Sequence, residues 1–209
     1  GKEQRSFLFF EGVGSYATVW LNGKQVGTHA GGRTTFTLDV TEALRTDGKP
    51  NLLAVRADHP AGIQDLPWVC GGCSEERGFS EGSQPLGIFR PVSLLTTSAT
   101  RIQPFGIHIW ADSTLTAQMA RLNVTTELKN YGPKAQTLTV LNQLLDRQGR
   151  VVAEVKGKQK LAAGATAELR QVLPQLNQPH LWSLQDPYLY RLVTRVSAGK
   201  KALDEQTTP

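Results

Sequence analysis

Both cysteines of this 209-residue sequence fall in one short stretch, Cys70-Gly71-Gly72-Cys73. Two thiols at that spacing can ligate a metal, cycle between thiol and disulfide, or pin a loop. A structural zinc needs four ligands, so a chain with two cysteines must recruit histidines or carboxylates. His29, His59, His108 and His180 show none of the close pairings that such sites use. A thioredoxin-like redox pair would open a helix in a βαβ context, and no such pattern surrounds these cysteines. A local disulfide and a pair of free thiols are the readings left, with Gly71 and Gly72 letting the backbone bring the sulfurs together. No metal and no cofactor are expected.

The same stretch, Asp65–Pro91, carries Glu75, Glu76 and Glu81. Hydrolysis of a glycoside needs two carboxyl groups about 5–10 Å apart across a cleft. Acids sharing one loop are more simply solvated, because a loop holds catalytic geometry poorly. The Gly-x-Ser-x-Gly, P-loop and His-Glu-x-x-His patterns are absent. Serine, histidine and aspartate are present, but no spacing links them. Asn123-Val124-Thr125 matches a glycosylation acceptor yet lies within a strand-like run. Trp68 follows Pro67 inside the loop, where it could stack on a sugar ring or plug the loop. Trp20, Trp110 and Trp182 lie on strand-like segments or beside proline and read as core residues. Taken alone, these residues assemble no catalytic machinery.

The elements that must position them are strands. Helical periodicity is nearly absent, and short alternating or apolar runs are separated by turn residues. "SFLFFEG" reads as a buried strand ended by glycine, and "YATVWLNGKQVGTHAG" as a hairpin. In it Asn22-Gly23 supplies the two positive-φ residues of a type I′ turn. "TTFTLDV" and "LLAVRAD" are further strands, and between them Thr41–Asn51 predicts one helical turn capped by Thr41. Some thirty residues without periodicity follow, the signature of a functional or unstructured loop, before the strand "PVSLLTT". Beyond "ATRIQPFG" come six or seven strands with turns at Tyr131-Gly132-Pro133, Gln148-Gly149 and Ala163-Gly164. Their count and spacing suit an immunoglobulin-like sandwich without the antibody disulfide. The division falls near Ser98–Thr100, giving residues 1–98 and 99–209.

Composition supports a globular protein and excludes other classes. Hydrophobic residues make up 39% and charged residues 20%, enough to bury a core, and no apolar run is long enough to span a membrane. The net charge of +5 is uneven. Residues 1–98 hold 9 Lys/Arg against 10 Asp/Glu, and residues 99–209 hold 14 against 8. The basic residues are not interleaved with aromatics as in a single-strand-binding groove, so a solvated basic face is expected rather than nucleic-acid binding.

Two motif sets converge on a family. "FLFFEGVGSYATVWLNGKQVGTHAGGRTTFTLDVTEAL", followed by "NLLAVRAD" and "GIFRPVSLL", resembles the sugar-binding jelly-roll module of glycoside hydrolase family 2. That family contains β-galactosidases, β-glucuronidases and β-mannosidases. "PHLWSLQDPYLYRLVTRV" resembles the signature closing the family's immunoglobulin-like second module. The resemblance implies an all-β chain, with an N-terminally shortened jelly roll at 1–98 and an immunoglobulin-like sandwich at 99–209. Family members carry their catalytic glutamates on a (β/α)₈ barrel of about 250 residues, and the family's Asn-Glu dipeptide is absent here. The chain is therefore expected to be a non-catalytic fragment of a periplasmic or secreted glycosidase. Its implied partners are the barrel and an oligo- or polysaccharide. In the family the loop before Gly-Ile-Phe-Arg reaches toward the barrel's cleft. That makes Trp68, Asp65, Glu81 and Gln84 candidate substrate contacts. Cys70, Cys73 and Arg90 would shape the loop, Arg90 by pairing with a carboxylate beneath it. A free-standing carbohydrate-binding or adhesin module is the alternative.

Overall fold

The computed structural model describes residues 4–32, 34–59 and 86–209. The chain divides into two compact units, Arg5–Thr96 and, together with Gly1–Gln4, Thr97–Pro209. Every regular element among the described residues is a strand. No helix among them is long and apolar enough to cross a membrane.

The first unit is built from β1 (Gln4–Phe10), β2 (Val13–Gly14), β3 (Tyr16–Leu21), β4 (Lys24–Ala30), β5 (Phe36–Asp39), β6 (Leu53–Asp58), β7 (Gly87–Ile88) and β8 (Val92–Ser98). They form the sheets β5-β1-β8, β4-β3-β6 and β2-β7. The β3–β4 hairpin turns at Asn22 (φ 54°) and Gly23 (φ 83°), as the Asn-Gly pair predicts. Ala17, Val19 and Leu21 alternate inward along β3 and meet Leu8, Phe10 and Phe36 in one core. Phe10 is fully buried and stacks on Phe36 with ring centroids 4.7 Å apart.

Thr41 does not cap a helix. A single turn does form, with the Leu44 N–H donating to the Val40 carbonyl at 2.9 Å. The Thr41 hydroxyl, however, accepts from the Ser6 N–H at 2.9 Å, which ties β1 to the end of β5. Asp39 completes this tie, accepting from Arg5 Nη2 at 2.5 Å and from the Thr41 N–H at 3.0 Å. Burial raises the Asp39 carboxyl's pKa, but the hydrogen bonds from Arg5 and Thr41 and the Arg5 charge outweigh it and hold the value below the ordinary one. A depressed carboxylate pKa stabilises the fold above the unfolded value of about 4 and loses that contribution as pH falls through the folded value. Asp39→Asn is therefore expected to cost about 1 kcal/mol at neutral pH, a modest figure because both partners retain solvent contact. Urea unfolding at pH 7 and pH 3 checks this: the variant should be less stable at pH 7, and the gap should close in acid.

The second unit comprises β9 (Thr100–Ala111), β10 (Met119–Ala120), β11 (Leu122–Asn130), β12 (Gln136–Leu145), β13 (Val151–Leu161), β14 (Thr166–Val172), β15 (Leu176–Asn177), β16 (Arg191–Ala198) and β17 (Lys201–Thr208). Sheets β14-β11-β9 and β13-β12-β16-β17 face each other across a core, and β10 pairs with β15. Ile102, Val124 and Leu128 from one sheet meet Leu138, Val140, Leu144, Leu192 and Val196 from the other. The alternation along β12 places Asn142 among these apolar residues, fully buried. It accepts from the Thr194 hydroxyl and donates to Gln171 Oε1 at 2.9 Å, a polar link between the two sheets. Strand β9 begins at Thr100 and takes in most of the stretch 99–106. Phe105 takes a left-handed φ of 57°, and the register with β11 shifts near Thr126, so a bulge breaks the alternation that a strand would show.

Candidate functional site

The Gly-Ile-Phe-Arg motif is locked to the Phe-Glu-Gly-Val motif by direct pairing. Val13 lies opposite Ile88 and Gly14 opposite Gly87, and the Glu11 N–H donates to the Pro91 carbonyl at 3.1 Å. The Phe89 ring lies against Gly12, where an added Cβ would stand 2.8 Å from Phe89 Cζ. Gly12→Ala is expected to displace this ring and cost about 1–3 kcal/mol, read as a lower urea midpoint of the chain. Arg90 is exposed, and its guanidinium sits 5.9 Å from the Phe89 ring centroid. Among the described residues it has no carboxylate partner. Asp65, Trp68, Cys70, Cys73, Glu81 and Gln84 lie outside the described residues.

A serine–histidine pair absent from the sequence reading forms here. Ser15 Oγ lies 2.8 Å from His59 Nδ1, joining residues 44 apart in the chain. Ser15 is only 2% exposed, which leaves no room for a substrate at its oxygen, so the pair ties β6 to the start of β3. His29 similarly stacks on Phe36 and bonds Thr34 Oγ1 at 2.7 Å. Burial lowers its pKa despite an opposing hydrogen bond with the Gly31 backbone, as expected of an imidazole held neutral.

The largest departure from expectation concerns tryptophan. Trp110 and Trp182 are 48% and 56% exposed rather than core residues. Trp110 stands near the end of β9, and Trp182 lies in the segment 178–190 that leads into β16. With Leu115, Leu181 and Leu189 they line an apolar groove of about 310 Å³ floored by Leu144 and Leu192. Leu184, beside it in sequence, is 82% exposed.

Polar contacts hold this irregular segment in place. His180 Nε2 lies 2.6 Å from Asp186 Oδ2, and the His180 ring stacks on Tyr188 at 4.1 Å. The His180 N–H donates to the Tyr190 hydroxyl at 2.9 Å. From the β12–β13 turn, the Arg147 N–H donates to the Tyr188 hydroxyl at 3.0 Å, and the Arg147 guanidinium covers the same ring at 4.9 Å. That turn is itself fixed by Asp146, which accepts from the backbone N–H groups of Gln148 and Arg150 at 3.0 and 2.8 Å. Burial raises the Asp146 pKa, and the Arg150 and Gln148 contacts more than reverse the effect, leaving it below its ordinary value. The side chains of Asp186, Tyr188 and Tyr190 thus bond within their own unit, while Trp182 and the leucines Leu181, Leu184 and Leu189 are exposed. A rigid apolar groove of this kind favours packing against another apolar surface over acid–base chemistry. Among the described residues, no group of three or more His, Cys, Asp or Glu side chains could hold a metal ion.

Two β-sandwich modules in tandem, one closed by paired glycine motifs and one ending in a braced apolar groove, define the class of this chain. Residues 2–98 match the family model described as "Glycosyl hydrolases family 2, sugar binding domain", and residues 100–209 match "Glycosyl hydrolases family 2". The chain belongs to glycosyl hydrolases family 2, with a jelly-roll sugar-binding module followed by an immunoglobulin-like module. It is 34% identical over 200 residues to the β-galactosidase BoGH2A of Bacteroides ovatus, covering 96% of this chain and 21% of that protein. It is 30% identical over 216 residues to a β-glucuronidase of Bacteroides fragilis, covering 100% and 29% respectively. The crystal structure of Bacteroides uniformis β-glucuronidase superposes with a TM-score of 0.86 at 28% identity, covering 99% of this chain and 24% of that one. The chain thus spans between a fifth and a third of the length of these relatives.

Proposed function

We propose that this chain is the non-catalytic two-sandwich portion of a larger β-galactosidase- or β-glucuronidase-like enzyme that hydrolyses O-glycosidic bonds. In that enzyme it braces the catalytic barrel. The loop bearing Asp65, Trp68, Glu81 and Gln84 contributes to the carbohydrate cleft, with Cys70, Cys73 and Arg90 shaping it. A periplasmic or secreted location goes with this reading.

The observation that carries it is the exposed groove of Trp110, Trp182, Leu181 and Leu189, held rigid by the His180–Asp186–Tyr188–Arg147 contacts. Aromatic and aliphatic side chains fixed in advance lose little entropy on docking, which is what a permanent interface between domains requires. The test compares the 209-residue chain with the enzyme containing it on nitrophenyl β-galactoside and β-glucuronide. Turnover by the enzyme and none by the chain is expected. Turnover by the chain alone would contradict the reading, and calorimetric binding of a neutral oligosaccharide by the chain alone would favour a free-standing module.

A further inference from the structure

The outward face of the sheet β13-β12-β16-β17 carries a row of unmatched positive charge. Lys156, Lys158 and Lys160 alternate outward along β13, while Val155, Gly157 and Gln159 between them are half-buried. Strand rise sets successive lysines about 6.8 Å apart. Across the sheet they stand opposite Leu141, Thr139 and Thr137 of β12, and Leu141 and Thr139 in turn face Arg195 and Ser197 of β16. A groove of about 460 Å³ opens beside this row, with Lys156, Arg195 and Lys200 on its walls and Thr139 and Ser197 between them.

Three carboxylates border the face; among the described residues only Glu205 is paired with a cation, and the four lysines outnumber the other two acids. Glu154 accepts from Gln143 Nε2 at 2.8 Å, and Glu205 accepts from Arg195. Asp204 accepts from the Ile102 N–H at 2.8 Å and from the Glu205 N–H. Among the described residues, Lys156, Lys158, Lys160 and Lys200 have no acidic partner. Edge-strand lysines often do no more than discourage strand pairing. Here the row adjoins a groove with hydroxyl groups on its floor, which such a guard does not require.

The geometry points to this face as a binding surface for an anionic polysaccharide, its sulfate or carboxylate groups meeting the lysines and its hydroxyls meeting Thr139 and Ser197. A nucleic acid fits less well, because no aromatic side chain lines the groove to stack on a base. Membership of a glycoside hydrolase family supplies the preference for glycan. The inference does not depend on what covers the Trp110–Trp182 groove, so either can fail without the other.

The experiment measures binding of the 209-residue chain to dextran sulfate, polygalacturonate, neutral dextran and a (dT)₂₀ oligonucleotide at low salt. Binding to one or both polyanionic glycans and not to neutral dextran is expected, and the one preferred separates sulfate from carboxylate recognition. Kd should rise about tenfold in the triple variant Lys156→Gln, Lys158→Gln, Lys160→Gln, from the combined loss of three exposed charge contacts. Lys200→Glu, on a separate turn, should weaken binding in the same direction. The triple variant Lys24→Gln, Lys49→Gln, Lys134→Gln removes equal charge elsewhere and should bind as wild type. Absence of glycan binding, equal loss in both triple variants, or tighter binding of the oligonucleotide would overturn the proposal.

Discussion

Replacing Trp182 by arginine is expected to change the unfolding free energy of the isolated chain by no more than about 1 kcal/mol. In the larger enzyme proposed to contain these modules it should cost about 2 kcal/mol or more, with lower activity and lower thermal stability. The asymmetry follows from the site. Trp182 is 56% exposed in the chain, and the segment that carries it is held by polar contacts that do not involve its indole. Removing the ring therefore spares the sandwich. Under the proposed bracing role it would instead place a charge where the apolar partner is to pack, leaving that charge buried and unpaired. Thermal denaturation of both proteins, with nitrophenyl glycoside rates for the enzyme, checks the expectation. Equal small effects in both would mean that the groove is not an interface.

The second large effect is expected at Asn142. Asn142→Ala removes the acceptor of the Thr194 hydroxyl and the donor to Gln171 Oε1, all three residues being buried. Each buried polar group left unpaired costs about 1–3 kcal/mol, so the variant should lose about 2–5 kcal/mol of stability. Among the described residues Gln171 Nε2 already has no hydrogen-bond partner, so the substitution leaves both ends of that amide unsatisfied. Removing the polar groups together should recover much of the loss, because an apolar core of similar volume leaves nothing unpaired. A cycle of Asn142→Leu, Gln171→Leu and Thr194→Val, followed by urea unfolding, tests this. The combined variant should be more stable than Asn142→Leu alone. Strict additivity of the single effects would show that the three residues do not act as a unit.

What the sequence discloses, and what it hides, follows from the range of the interactions involved. The β3–β4 hairpin was legible because Asn22-Gly23 meets its own backbone requirement within four residues. The jelly-roll and immunoglobulin-like modules were legible through motifs whose residues contact one another, such as Gly12 against Phe89. Thr41 misled because its side chain bonds Ser6 rather than the adjacent turn, a contact 35 residues away in sequence. Ser15 and His59, 44 residues apart, carried no local sign of their pairing. Trp110 and Trp182 were misread because an indole on a strand-like segment has the same sequence pattern whether it faces a core or a partner. One sign was available: the leucines of "LWSLQDPYLY" are spaced too irregularly for either face of a strand. The basic half of the charge distribution was visible as well, but only the registers of β13, β12 and β16 gather Lys156, Lys158, Lys160 and Arg195 onto one face.

The most direct test of the proposed bracing role is hydroxyl-radical footprinting of Trp110 and Trp182. The measurement is made on the 209-residue chain and on the enzyme that contains it. Both indoles should be oxidised readily in the isolated chain and be strongly protected in the enzyme, while the partly exposed Trp20 changes little between the two. Equal oxidation of Trp110 and Trp182 in both proteins would contradict the proposal that this groove meets the barrel.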